Sequence, residues 1–164
     1  MRKIMLLFVA LATIGISFGC RHDAHKRDMV EMVKKHINCN LRPANKLESL
    51  EICRPDSTFG VLCLPEHQLE YIAKSIDNLS SYLMKQDFDG KDGKVAYLAN
   101  KQMQASAYAA ELFAYSQLKG DFNGWYVRAK YAVTYGNNII KTEKWFFFNK
   151  EGDVIYNTFE LPVP

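Results

Sequence analysis

The spacing of apolar and polar residues changes along the chain, from helical in the first two thirds to alternating near the end. Residues 24–38 form one apolar face at helical spacing, through Met29, Met32, Val33, His36 and Ile37, which predicts a short amphipathic helix. Residues 39–57 contain two prolines and many polar side chains, and predict mostly loop. The segment 58–64 predicts a short edge strand that ends at Pro65.

Two longer helices follow. One is predicted from Glu66 to about residue 85, because a proline just before it suits the first turn and a glutamate there complements the helix dipole. After a turn near 87–93, a second runs to about residue 119, with Asp92 as its candidate N-cap and Gly120 as its stop. Its predicted core face comprises Val95, Leu98, Ala105, Ala109, Leu112 and Phe113.

The last part of the chain predicts three strands. Residues 125–134 alternate with a period of two, and Gly-Asn-Asn at 136–138 is typical of a tight turn. The next strand, 139–148, ends in four consecutive aromatic residues and is therefore expected to be central and covered on both faces. A third strand is predicted over 154–159. Helices followed by strands indicate an α+β fold, with the N-terminal helices and one long helix packed on a C-terminal antiparallel sheet of three to four strands.

The opening of the chain has the organisation of a secretion signal. Basic residues at 2–3 precede an uncharged apolar run at 4–16, which is shorter than the ~20 residues of a membrane-spanning helix. Residues 17–19 then lead directly into Cys20. This arrangement resembles the lipobox of bacterial lipoproteins, in which the cysteine thiol carries acyl chains such as palmitate and the chain is cut just before it. The resemblance implies lipidation of Cys20 and a membrane anchor.

The same resemblance implies a domain organisation and a location. Residues 1–19 are the signal peptide, 20–25 a tether and 26–164 one domain. Arg21 follows the cysteine where an aspartate would imply retention at the inner membrane, so the outer membrane is expected. The absence of an acidic cluster after Cys20 favours the periplasmic face, with the cell surface as the alternative. Cleavage without lipidation would instead leave a soluble periplasmic protein.

Charge and motifs exclude several functions. The formal net charge is +3, and two of the basic residues belong to the predicted signal, so nothing favours nucleic-acid binding. The chain contains no GxSxG motif and no phosphate-binding glycine loop. The acidic segment 87–94 departs from the EF-hand pattern at three positions, and His67 with Glu70 supplies only two metal ligands. We therefore name no catalytic residue, metal or cofactor.

Three cysteines remain once Cys20 is lipidated: Cys39, Cys53 and Cys63. The predicted compartment permits disulfides, but an odd number allows at most one bridge within the chain. Bridges from Cys53 to either of the other two are open alternatives, as is a role for all three as small buried apolar residues.

Residues 124–155 resemble small α+β domains of the cystatin-like and NTF2-like kinds, in which a curved antiparallel sheet wraps around a long helix. Together with the lipobox, this segment is similar to small lipoproteins of Bacteroidetes. The resemblance transfers no catalytic residue. The choice between the two topologies depends on whether the segment 58–64 joins the sheet.

The predicted sheet also carries the candidate binding residues, Trp125, Tyr126, Arg128 and Lys130. Arg128 and Lys130 share a face, so Glu143 on the neighbouring strand is expected to pair with one of them. Ser57 lies in a short Asp-Ser-Thr segment that resembles the O-glycosylation motif of Bacteroides-type secreted proteins.

Three functions remain in competition. The leading hypothesis is a non-enzymatic binding or accessory module of the cell envelope, held at the membrane by its lipid and contacting an envelope protein or ligand. The second is an NTF2-like enzyme or small-ligand-binding protein with a pocket between the sheet and the long helix. The third is an immunity or inhibitor protein. A solid core with an exposed patch would favour binding over catalysis.

Overall fold

The structure, a computed structural model, describes residues 25–86, 93–118 and 120–164. The predicted signal peptide, Cys20 and the acidic segment 87–92 lie outside these residues. The described elements, in chain order, are α1 (25–40), β1 (Leu47–Ile52), β2 (Asp56–Phe59), α2 (Glu66–Leu83), α3 (Gly93–Ser116), β3 (Phe122–Tyr135), β4 (Asn138–Phe148) and β5 (Ile155–Val163). None of the described helices is long and apolar enough to cross a membrane.

The predicted α+β class is confirmed. All strand pairs are antiparallel, and the strand order is β1–β3–β4–β5. Both β1 and β2 pair with the same edge of β3: β2 pairs with the first part of β3, and β1 pairs with the second part of β3. The sheet therefore contains five strands, although it is only four strands wide. The extra strand is β1, which lies in the region predicted to be mostly loop.

A bulge in β1 explains that error. Leu47 pairs with Val133 but Ser49 pairs with Ala132, so one extra residue separates the first apolar position from the next. A β-bulge of this kind breaks the two-residue period on which the recognition of a strand depends.

The predicted edge strand at 58–64 is displaced toward the N-terminus. Pairing with β3 covers Asp56–Phe59, and the chain then turns, with Gly60 at φ 54° and Leu62 at φ 58°. A β-carbon on Gly60 would lie 2.4 Å from the carbonyl oxygen of Leu118, so this turn requires glycine for space as well as for conformation. Only the start of the predicted strand joins the sheet.

Helices cover both faces of the sheet. On one face, Met29, Val33 and Ile37 of α1 are buried against Val127, Ala129, Phe146 and Phe148, as the amphipathic pattern predicts. On the other, α2 and α3 pack on a core whose sheet residues are Tyr126, Trp145, Phe147, Phe159 and Leu161. The four aromatics at the end of β4 are fully buried, which confirms that this strand is central and covered twice.

Two details differ from the sequence-based expectation. Phe113, expected in the core face of α3, is exposed at the C-terminal end of that helix. The last strand extends to Val163, well beyond the predicted end at 159, because pairing with β4 continues through Pro162 opposite Thr142. A proline is tolerated there because β5 is an edge strand that needs no donor on its outer side.

Candidate functional site

The two-residue period of β4 brings a charged residue into the core. Glu143, Trp145 and Phe147 point to the face on which α2 and α3 pack, and Glu143 is buried next to Trp145, whereas Lys141 on the same face is exposed. A carboxylate in this position needs charged or hydrogen-bonding partners, since burial of an unpaired charge is very unfavourable.

Three side chains supply these partners. The Tyr71 hydroxyl of α2 donates a hydrogen bond of 2.5 Å to Glu143 Oε1. From β3, Lys130 Nζ lies 3.4 Å from Oε1, and Arg128 Nη1 lies 3.9 Å from Oε2. The expected pairing of Glu143 is thus confirmed, with both cations rather than one. We call Tyr71, Arg128, Lys130 and Glu143 the polar cluster.

The aromatic rings of α2 and β4 hold the cations in place. The guanidinium carbon of Arg128 lies 4.7 Å from the centre of the Tyr71 ring, and Lys130 Nζ lies 5.7 Å from the same ring. Trp145 provides a second ring 6.0 Å from Arg128, and its indole N–H donates to Gln68 Oε1 at 3.3 Å. Tyr71 therefore binds the carboxylate through its hydroxyl and the cations through its ring.

The charges in the cluster shift each other's protonation. Burial, followed by the hydrogen bond to Glu143, raises the pKa of Tyr71. Burial, the largest single effect, works to lower the pKa of Lys130, but the charge of Glu143, the charge of Tyr71 and the hydrogen bond to Glu143 together raise this pKa above its ordinary value. Burial also works to lower the pKa of Arg128. The interactions of Arg128 with Cys53 and Glu143 act in the opposite direction, and the pKa is raised. The cluster therefore holds two permanent cations at neutral pH.

Hydrogen bonding in the cluster is incomplete. Arg128 Nη2 contacts the sulfur of Cys53 at 3.9 Å. Among the described residues, Arg128 Nε and Glu143 Oε2 are buried without a hydrogen-bond partner. Buried polar atoms usually have a hydrogen-bond partner in native proteins, so these two atoms are an unusual feature of the cluster.

Two members of the cluster, Lys130 and Glu143, line a groove across the sheet. The groove has a volume of about 360 Å³, and its lining runs from Ser49 and Glu51 of β1 through Lys130 and Glu143 to Val163 of β5. Lys141 adds a further cation beside Ala132. Two carboxylates and two ammonium groups thus alternate along a groove whose lining, within the described part of the chain, includes no residue of α2 or α3.

The predicted binding residues do not share one surface. Arg128 and Lys130 belong to the polar cluster, and Tyr126 on the same face is buried, with its hydroxyl 3.2 Å from Asp56 Oδ2. Trp125 lies on the opposite face, where its indole N–H donates to the carbonyl of Lys150. Ser57 is half-buried within β2, in register with Trp125.

The cysteines are separate and unbridged. Cys39 is exposed at the end of α1, Cys53 contacts Arg128, and the Cys63 thiol lies 3.9 Å from the carbonyl of Ser116. All three are free thiols in the structure, so neither of the disulfides considered above is formed. The three residues lie in different elements with different neighbours.

Tyr71, Ser49 and Glu51 were not identified from the sequence as site residues. Tyr71 lies three positions after Gln68, so both side chains lie on one side of α2, next to its apolar stripe. This spacing is the feature of the sequence from which the position of Tyr71 in the site could have been predicted. Ser49 and Glu51 were concealed by the bulge in β1. His67 and Glu70 are exposed, and the described residues contain no group of three or more His, Cys, Asp or Glu arranged to hold a metal ion.

Comparison with known proteins identifies no relative: no protein-family model, curated protein or solved structure matches this chain significantly. The interpretation of the site therefore depends on its geometry and chemistry.

Proposed function

We propose that this protein is a lipoprotein of the outer membrane, anchored through Cys20, that acts as a non-enzymatic binding module. The groove across the sheet is its binding site. The observation that supports this proposal is Glu143 in the groove wall, because one oxygen of its carboxylate is buried without a hydrogen-bond partner, at a cost in stability. A cationic or hydrogen-bond-donating group of a partner at this wall would stabilise the carboxylate of Glu143 and recover part of that cost.

The lining of the groove defines the chemistry of its ligand. Glu51 and Glu143 attract a cationic group, whereas Lys130 and Lys141 attract an anionic one. The groove crosses four strands, which are about 4.8 Å apart. A short peptide segment that carries both charges matches this pattern, and we propose such a segment of an envelope protein as the ligand.

Packing between the sheet and the helices favours this proposal over the NTF2-like alternative. Trp145, Phe147 and Leu161 are completely or almost completely buried beneath α2 and α3, and Tyr108 of α3 stacks on Phe159 at 5.1 Å. Large side chains thus occupy the place in which an NTF2-like protein would hold a substrate. No specific observation favours an immunity or inhibitor protein.

Site-specific photo-crosslinking in cells tests the ligand site. A photoreactive amino acid at Ser49, on the exposed rim of the groove, should give an adduct that the same residue at Asn137, in the exposed β3–β4 turn, does not give. Lys141→Glu should reduce the yield at Ser49 several-fold, whereas Lys34→Glu on the outer side of α1 should not. Equal adducts at both positions, or a yield insensitive to Lys141, would contradict the groove as the binding site.

The anchor needs its own test. The intact mass of the protein purified from membranes should correspond to residues 20–164 with a diacyl or triacyl adduct on Cys20. Cleavage after residue 19 without lipid would contradict the anchor while leaving the groove to be judged by crosslinking.

A further inference from the structure

A second surface lies at the end of the sheet where β3 begins. Four large apolar side chains are exposed there, which we call the apolar end patch: Phe59, Val61, Phe113 and Leu118. Phe59 and Phe113 border a cleft of about 580 Å³ with Leu64 and Leu69 in its wall. The close approach of Gly60 to the Leu118 carbonyl joins the two ends of the patch. Exposed apolar side chains that lie together are typical of interaction surfaces.

The patch is connected by ring contacts to the start of α1. The Phe59 ring lies 6.3 Å from Phe122, and Phe122 lies 5.2 Å from Trp125. Lys26 Nζ in the first turn of α1 lies 5.7 Å from the Trp125 ring. The described chain therefore begins at the same end of the molecule as the apolar end patch.

Basic residues lie beside this start. A groove of about 610 Å³ is lined by Lys26 and Arg27 of α1 and by Arg54 just before β2, with Glu31 as its carboxylate. From this groove, β2 leads directly to Phe59. A combination of cations, aromatic rings and exposed aliphatic groups is characteristic of surfaces that rest on a bilayer, where cations meet lipid phosphates and apolar groups enter the acyl boundary.

We propose that the apolar end patch contacts the surface of the membrane in which the protein is anchored. This inference rests on the proposed lipidation of Cys20. Four residues lie between Cys20 and His25 at the start of α1, and the five steps from one residue to the other span at most about 18 Å, so the lipid holds this end of the domain close to the bilayer. Glu66 and Glu70 also line the cleft, and the apolar groups rather than phosphate attraction therefore provide most of the contact. In this orientation the groove across the sheet remains accessible to the proposed peptide segment.

Two tryptophan reporters test this orientation. Val61 and Ile139 are aliphatic residues that are 52% and 53% exposed, but Ile139 lies next to the β3–β4 turn, at the other end of β3. Val61→Trp and Ile139→Trp are made in the full chain, purified with their lipid and reconstituted in phosphatidylethanolamine–phosphatidylglycerol vesicles whose acyl chains are brominated near the headgroup. Trp125 and Trp145 contribute the same background to both variants, and circular dichroism verifies their fold.

Bromine should quench the added emission of Val61→Trp by roughly twofold or more, since groups on an interfacial surface enter about 5–10 Å into the bilayer boundary, and Ile139→Trp should be unaffected. Leu118→Trp should behave like Val61→Trp. Equal quenching at Val61 and Ile139 in protein that carries lipid and floats with the vesicles would overturn the orientation and leave the anchor intact. Absence of both the lipid adduct and flotation would overturn the anchor, and the orientation with it. A concentration-dependent dimer that buries Val61→Trp without quenching would assign the patch to a second copy instead.

Discussion

The two faces of the sheet are built from the same strands but differ in what they bury. Toward α1, the core is apolar, with Phe146 and Phe148 of β4 packed on a single helix. Toward α2 and α3, the alternate residues of β4 include Glu143 together with Trp145 and Phe147. Apolar burial is a sufficient explanation for the first face. The second face also holds the carboxylate of Glu143, which is 7% exposed, whereas the ion pair of Lys144 with Glu160 near the first face is 16% and 24% exposed. Burial of the Glu143 carboxylate opposes stability, and for that reason we place the function on the second face.

Adjacent phenylalanines allow the two faces to be compared directly. Phe146→Ala and Phe147→Ala each remove a fully buried ring, and we expect each to lower the free energy of unfolding by about 3–5 kcal/mol. Because α1 is alone on its face, Phe146→Ala should also increase amide exchange in α1 more than in α2. Urea denaturation and hydrogen exchange measure these effects. Equal loss of protection in α1 and α2 for both variants would show that the faces are not separable.

Replacement of the buried carboxylate tests whether the polar cluster is a strained element. Glu143 has two cationic partners and a side chain that is 7% exposed, while Glu160 has two lysine partners and is 24% exposed. Glu143→Gln should lower the free energy of unfolding by about 2–3 kcal/mol, because it leaves the charge of Arg128 without its carboxylate partner. The matched Glu160→Gln should cost less than about 1 kcal/mol. Chemical denaturation distinguishes the two, and similar costs would remove the basis for treating the cluster as special.

The hydroxyl of Tyr71 offers a finer probe of the same face. Tyr71→Phe keeps the ring over Arg128 but removes the hydrogen bond to Glu143, which should cost about 1.5–2 kcal/mol because the acceptor is charged. Tyr108→Phe removes a hydrogen bond with the neutral amide of Asn157 and should cost about 1 kcal/mol. Stability measurements on both variants provide the comparison. A Tyr71→Phe variant as stable as the parent would show that the hydroxyl does not satisfy the carboxylate.

The smallest effect on stability is expected on the face of the sheet covered by α1, and this effect depends on pH. His36 of α1 packs edge-on against Phe146 at 5.3 Å, and burial, followed by the charge of Lys144, lowers its pKa from the ordinary value of 6.5. A lowered pKa means that the folded state favours the neutral ring. The resulting stability is present above pH 6.5 and is lost as the pH falls through the folded-state pKa.

Thermal unfolding between pH 8 and pH 5 measures this dependence. The parent should lose more stability than His36→Gln as the pH falls, because the variant has no proton to bind at this position. An identical pH profile for the two proteins would exclude His36 as a contributor.

Sequence patterns predicted most of the fold but only part of the site. Regular repeats such as the apolar face of α1 and the alternation of β3 were sufficient, since a helix or strand with one buried face must place its apolar residues at that period. They failed at β1, where a bulge interrupts the period, and at Phe113, which is exposed although its neighbour Leu112 is completely buried. The pairing of Glu143 with β3 was predictable because strand register follows from the tight turn at 136–138.

The sequence by itself determined the class of fold, the central position of β4 and the charges that its neighbours carry, because these follow from local periodicity and composition. Only the tertiary structure decided that Tyr71 lies on Glu143, that Cys53 lies beside Arg128, and that the start of α1 and the apolar end patch share one end of the molecule. The physical reason is that such contacts join residues far apart in the chain. Their proximity depends on how helices and strands pack against each other, and no local pattern encodes that arrangement.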